Sequence, residues 1–124
     1  MKGRLTVNNT VFGISVDCTD AAAVAQFWGA VLGRQVADGA TWENAVLPAE
    51  DQANGGPRLA FHRVPEAKVV KNRLHLDLVS DSFESEAERL TSLGAEKIRD
   101  VQSGDARWTT FADIEGNEFD LIAG

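Results

Sequence analysis

The stretch from Val16 to Gly33, VDCTDAAAVAQFWGAVLG, decides how this chain is read. Asp20 stands where an N-cap belongs, because a carboxylate there accepts from the exposed first-turn amides. Val24, Phe27, Trp28, Val31 and Leu32 fall at i, i+3, i+4, i+7 and i+8, so the predicted helix over 21–32 carries one apolar stripe. Gly33 follows where a left-handed residue closes a helix. Ahead of it runs a β-prone segment, predicted as a strand over about 11–17. Behind it come predicted strands near 34–38, 41–47 and 57–63.

The same order returns in the second half. A strand is predicted over 74–79 and a helix over 82–93. Asp81 with Glu84 has the spacing of a capping box, and Phe83, Ala87 and Leu90 supply the buried stripe. Leu93-Gly94 ends that helix, and strands follow near 96–101, 106–112 and 117–122. The segment Pro48 to Pro57, with Asn54-Gly55-Gly56 inside it, reads as a loop. The join from Val64 to Arg73 holds Pro65 and several charged side chains and belongs on the surface. A repeat of this length implies two copies of one small unit, at about 11–63 and 74–122, within a single α+β domain over 1–124. Each unit buries one sheet face under one helix. Two such sheets side by side make a trough, whose floor is the default binding site.

Composition narrows the function. The 124 residues carry a formal net charge of -7, against the basic surface that nucleic acid or an anionic membrane requires. No apolar run approaches the length of a membrane span. The start, Met1 to Asn9, has no signal-peptide core. A single cysteine suits a reducing cytoplasm. There is no Gly-rich phosphate loop, CxxC pair, HExxH or Gly-x-Ser-x-Gly motif.

Several segments together resemble a known pattern. Val16-Asp17-Cys18-Thr19-Asp20, Phe27-Trp28 and Leu32-Gly33 resemble the opening module of the vicinal oxygen chelate superfamily, which includes glyoxalase I, bleomycin-resistance proteins and extradiol dioxygenases. Arg63 to Lys68, Lys71 to Leu78, and Asp113-Ile114-Glu115-Gly116-Asn117-Glu118-Phe119 are similar to its glyoxalase-like subgroup, with Ile114 in place of a usual proline. The resemblance runs from Val11 to Ile122. It implies paired βαβββ modules, an open barrel-like mixed sheet with a central cleft, and often a divalent metal on the cleft floor. Of four family ligand positions, the first falls at Gly13 or, one register over, Ile14, and the second near Ala60. None of these can ligate. The third matches His75 and the fourth Asp120, so the family's ligand set is incomplete.

Strand alternation adds to this. His62 shares a face with Ala60, His75 with Asp77, Asp120 with Glu118, and Asp17 with Ser15. His62, His75 and Asp120 are thereby candidates for a two-His-one-carboxylate set, or else polar residues lining a cleft and satisfied by Asp17 or Asp77. Trp42 and Trp108 occupy matching predicted strands, where either stacks on a planar ligand or packs under a helix. Trp28 reads as core. Cys18 is a nucleophile only if a neighbour lowers its pKa. Lys68, Lys71 and Arg73 form the one basic cluster.

The leading expectation is a cytoplasmic glyoxalase-like protein that binds a small organic molecule between its modules. As an enzyme it would be a lyase or isomerase acting next to a carbonyl, with His75 and Asp120 as the acid–base or polarising pair. His62, Asp77, Asp17, Glu118, Trp42 and Trp108 would contact the ligand. The rival is a metal-free sequestering protein of the bleomycin-resistance type, for which the charge of -7 favours a cationic ligand. The resemblance also implies a homodimer.

Overall fold

A computed structural model describes residues 6–50 and 55–124. Residues 1–5, the start of the leader reading, and 51–54, including Asn54 of the expected loop, lie outside the described residues. The elements are β1 (Gly13–Cys18), α1 (Ala21–Leu32), β2 (Asn44–Leu47), β3 (Arg58–Arg63), β4 (Asp77–Ser80), α2 (Phe83–Ser92), β5 (Glu96–Ser103), β6 (Ala106–Ala112) and β7 (Glu118–Ala123).

The duplication is explicit in the strand order. The first sheet runs β1-β3-β2 and the second β4-β7-β6-β5. In each, the opening strand lies parallel to the closing strand, which pairs antiparallel with the strand before it. The second sheet has a fourth strand, β5, beyond β6.

Its counterpart in the first module, expected over 34–38, is not a strand. Ala37 N–H donates to Val46 O at 2.9 Å, a single ladder bond. The reason lies at Arg34, which turns inward and is buried. Its Nη2 donates to the carbonyls of Leu47, Pro48 and Pro57, tying the residues on either side of 51–54 to one guanidinium. Three carbonyls on one buried cation hold the chain out of extended pairing. The expected strand over 41–47 shrinks to 44–47, and that over 74–79 shifts to 77–80.

Helix α1 forms as its sequence dictates. Asp20 accepts from Ala23 N–H at 3.2 Å, and Gly33 closes the helix at φ 65°. Helix α2 starts one residue later than the capping-box spacing implies. Its N-cap is Ser82, which makes no side-chain cap bond, while Ser80 Oγ accepts from Ser82 N–H at 3.0 Å. The expected Asp81–Glu84 box therefore does not form.

One apolar cluster spans both modules. It includes Val24, Phe27 and Trp28 of α1, Leu59 and Phe61 of β3, Leu90 of α2, and Phe111, Phe119 and Leu121 of the second sheet. Trp28 is core, as expected. Its ring centroid lies 4.8 Å from that of Phe119 in an edge-on arrangement, and Phe27 lies 6.3 Å from the same ring. The first module's helix thus packs on the second module's last strand.

Candidate functional site

Register fixes which side chains share a surface. In the first sheet Ile14 opposes Leu59 and Val16 opposes Phe61. These four point to the side that α1 covers and join the core. Asp17 opposes His62, and His62 opposes Asn44, so these lie on the other, uncovered side. In the second sheet, Asp77, Asp120 and Thr110 form one row on the uncovered face, with Val79, Ile122 and Trp108 in the next.

A cleft of about 320 Å³ opens between the modules. Ile14, Val16, Leu59 and Phe61 form its first-module wall with Trp28. The second module contributes Leu74, His75, Leu76, Asp113, Asn117, Glu118 and Phe119. That volume lies at the lower end of the range for small-molecule sites, and the mix of apolar walls with few polar groups is typical of them. A second concavity of about 520 Å³ along β4 is framed by Asp77, Ser80, Asp81, Ser82 and Glu86, and offers a wetter, more acidic wall.

Of the sequence-derived candidates, the cleft collects His75 and Glu118. Asp77 and Asp120 join through His75. Its Nδ1 lies 2.8 Å from Asp77 Oδ1 and 3.8 Å from Asp120 Oδ2. Asp120 Oδ1 also accepts from the Thr110 hydroxyl at 2.6 Å, which fixes the carboxylate. A carboxylate only accepts, so Asp77 holds the proton on Nδ1 and leaves Nε2 as the free acceptor of the ring. Asn72 sets the approach to His75. Its side chain accepts from Glu118 N–H at 2.9 Å and donates to Glu118 O at 3.2 Å, docking segment 72–76 against the start of β7.

The other candidates lie elsewhere. His62 Nδ1 pairs with Asn44 Oδ1 at 2.8 Å on the first sheet's uncovered face, beside Asp17. The group of His75, Asp77 and Asp120 therefore replaces the expected set of His62, His75 and Asp120. His62 does share a face with Ala60; the step that fails is taking that face as the trough, because Leu59 and Phe61 on the opposite face line the cleft. Trp42 lies ahead of β2 in irregular chain, 53% exposed, with the Arg63 guanidinium 4.7 Å above its ring. Trp108 sits on the second sheet's open face against Val101 and Ile122. Neither tryptophan lines the cleft. Lys71 reaches Glu118 at 3.7 Å, and Arg99 reaches the same carboxylate oxygen at 3.5 Å.

His75, Asp77 and Asp120 each offer one donor atom within 4.8 Å of the others. Donors about 2.1 Å from a shared ion stand roughly 3.0–3.4 Å apart; here the two imidazole–carboxylate separations are 2.8 and 3.8 Å, and small side-chain shifts would bring the set to that spacing. One imidazole and two carboxylates suit manganese, iron or zinc. The residues present fit a divalent cation held by the second module alone.

Cys18 has the opposite of a nucleophile's setting. Burial, reinforced by the carboxylates of Glu115, Asp17, Asp20 and Asp113, pushes its thiol from 9.0 up to about 11. The folded chain keeps this proton where the unfolded chain gives it up. Stability is therefore expected to fall as pH rises from about 9 toward 11, and Cys18→Ser should flatten that slope in urea titrations. A slope unchanged by the substitution would assign the loss to other groups.

Sequence reading missed the wall residues Ile14, Val16, Phe61 and Leu76, and the turn residues Asp113 and Asn117. The run Asp113 to Asn117 was a usable signal, since an Asp followed by Gly-Asn marks a tight turn.

The fold has clear relatives. A mutant of the fosfomycin resistance protein FosX from Listeria monocytogenes, complexed with Mn(II) and 1S,2S-dihydroxypropylphosphonic acid, is similar at TM-score 0.73 and 15% identity, over 95% of this chain and 92% of that one. A glyoxalase/bleomycin resistance protein/dioxygenase family enzyme from Burkholderia phytofirmans PsJN is similar at TM-score 0.72 and 14% identity, over 92% and 98%. A glyoxalase/bleomycin resistance protein/dioxygenase from Nocardioides is similar at TM-score 0.68 and 18% identity, over 96% and 86%. No curated protein matches. Residues 13–122 match the family described as glyoxalase-like domain. With its twin modules and open sheets, the chain belongs to the glyoxalase-like domain family.

Proposed function

We propose that this protein binds a small carbonyl compound in the cleft between its modules, with the apolar body against Ile14, Val16 and Leu76 and the oxygen end toward His75. The observation that carries this is the meeting of an imidazole hydrogen-bonded to Asp77, with Asp120 3.8 Å away, and a largely apolar cleft. With Asp77 holding Nδ1–H, the Nε2 lone pair of His75 is a base for a proton on the carbon next to the carbonyl. Asp120, fixed by Thr110, stabilises the imidazolium that forms. A divalent cation on His75 Nδ1, Asp77 and Asp120 would take the place of the Nδ1 proton and its hydrogen bond to Asp77, and would supply a Lewis acid for the carbonyl oxygen. The Mn(II) complex of the FosX relative supports considering that ion first.

One observation favours a second reading, a sequestering protein without turnover. The two first-module positions that the family resemblance assigns to ligands, Gly13 (or Ile14) and Ala60, carry no ligating side chain. The two readings separate in heavy water. A panel of aryl and alkyl ketones is incubated with the full chain, and deuterium at the carbon adjacent to the carbonyl is followed by NMR. Exchange that disappears in His75→Ala supports the base. Saturable binding without exchange supports sequestration, and neither binding nor exchange for any ketone defeats the proposal.

We place the protein in the cytoplasm on its single cysteine. Among the described residues no helix is long and apolar enough to cross a membrane. The same reading makes it a homodimer. The uncovered second sheet, with Val79 and Trp108 on one row, supports this, and sedimentation velocity tests it.

A further inference from the structure

We propose that the turn from Asp113 to Asn117, together with Arg89, is a clamp by which the second module grips α1 of the first, and that Asp113, Glu115 and Arg89 are the positioning residues of the cleft wall. The two sheets are separate, so their relative placement has to be set by other contacts. Those contacts converge on α1. At its N-terminal end both oxygens of Glu115 accept backbone amides, from Thr19 at 2.6 Å and Asp20 at 2.9 Å. At its C-terminal end Arg89 donates to Ala30 O at 2.9 Å and Val31 O at 2.8 Å. Glu86, paired with Arg89 at 2.8 Å, holds that guanidinium in place. Between the ends, buried Asp113 accepts from the Trp28 indole N–H at 3.1 Å.

The signs are matched to the helix. An anion at the amino end and a cation at the carboxyl end both complement its dipole and satisfy groups that a helix leaves unpaired. The turn is built to hold this posture. Asp113 Oδ1 accepts from the amides of Glu115 and Asn117, each at 2.9 Å, and Gly116 takes φ 91°, where a side chain would be strained. That geometry aims Glu115 at α1 while the second oxygen of Asp113 accepts from Trp28 and, at 3.4 Å, from the Asn117 side-chain amide. Trp28 and Asp113 both line the cleft, so the clamp and the cleft wall are one assembly. The inference stands whatever the cleft binds.

The test uses Trp28 as reporter in the full chain carrying Trp42→Phe and Trp108→Phe. Glu115→Ala, Arg89→Ala and Asp113→Asn are compared with Asp20→Ala. The last removes a cap bond within the first module but no contact to the second. The clamp variants are expected to shift Trp28 emission to the red and to raise its acrylamide quenching several-fold. Asp20→Ala should lower the melting temperature with Trp28 still shielded. Glu115→Gln keeps one acceptor oxygen and should fall between wild type and Glu115→Ala, which preserves a readout if the alanine variant folds poorly. If the clamp variants expose Trp28 no more than Asp20→Ala does at equal loss of stability, the side chains serve general stability only and the proposal is overturned.

Discussion

Phe119→Ala is expected to cost about 3–5 kcal/mol and to lower Tm on the order of 10–20 °C. Phe119 is 1% exposed and meets Phe27, Trp28 and Phe111, with the Phe111 ring stacked at 5.7 Å. It is therefore the side chain through which β7 touches both the first module's helix and its own sheet. Truncation removes the apolar contact and leaves a void that two rigid helical aromatics cannot readily collapse into. A domain of this size has about 5–15 kcal/mol in total, so the variant should be near the edge of folding. Phe119→Leu should retain most of the stability. The comparison is Trp42→Ala, also an aromatic truncation, but at a half-exposed position where about 1 kcal/mol or less is at stake. Urea midpoints for the three variants check the ranking. Equal losses at Phe119 and Trp42 would mean that the shared core does not join the modules.

The second large effect concerns the cation. Titration of Mn(II) into the full chain, read by electron paramagnetic resonance of the free ion, should show one site. His75→Ala or Asp120→Ala should weaken it more than about 100-fold, beyond the roughly 10–100-fold typical of losing an outer partner. Asp120 is the stricter test. It is the least exposed of the three, and Thr110 already holds its other oxygen, so little rearrangement is available to replace it. His62→Ala should leave the affinity unchanged, because that imidazole pairs with Asn44 on the first sheet. Affinity lost equally in His62→Ala would restore the two-histidine set and reject the grouping around Asp77. The pH dependence has a fixed sign: protons compete for the same three groups, so affinity falls as pH falls.

Much of this architecture was legible in the chain because its signals are local. Asp20 and Gly33 bound α1 where capping chemistry puts them, and the second half repeats the order closely enough to fix the topology. The failures are local conflicts resolved by distant contacts. The expected strand over 34–38 gives way because Arg34 binds carbonyls from both ends of the 48–57 loop, which no short window reveals. The capping box at Asp81 slips by one residue because Ser80 takes the Ser82 amide. At the site, parity was sufficient where the chain is extended: it placed Asp120 with Glu118 within β7, and His75, just ahead of β4, with Asp77. It was not sufficient between sheets. Which face of the first sheet borders the cleft depends on how α1 and the 72–76 segment pack, and that put Ile14 and Phe61 there rather than Asp17 and His62. The role of Asp113 and Glu115 was hidden for the same reason, since their partners lie in the first module.

The central claim is that the cleft between the modules, ending at His75, is the ligand site. Amide chemical-shift mapping of the full chain during titration with the ketone panel tests it most directly. The expected result is a saturable set of shifts at Ile14, Val16, His75, Leu76 and Phe119, lost when Phe61→Trp fills the cleft. Shifts confined to Asp17, Asn44 and His62 on the first sheet's uncovered face would contradict it.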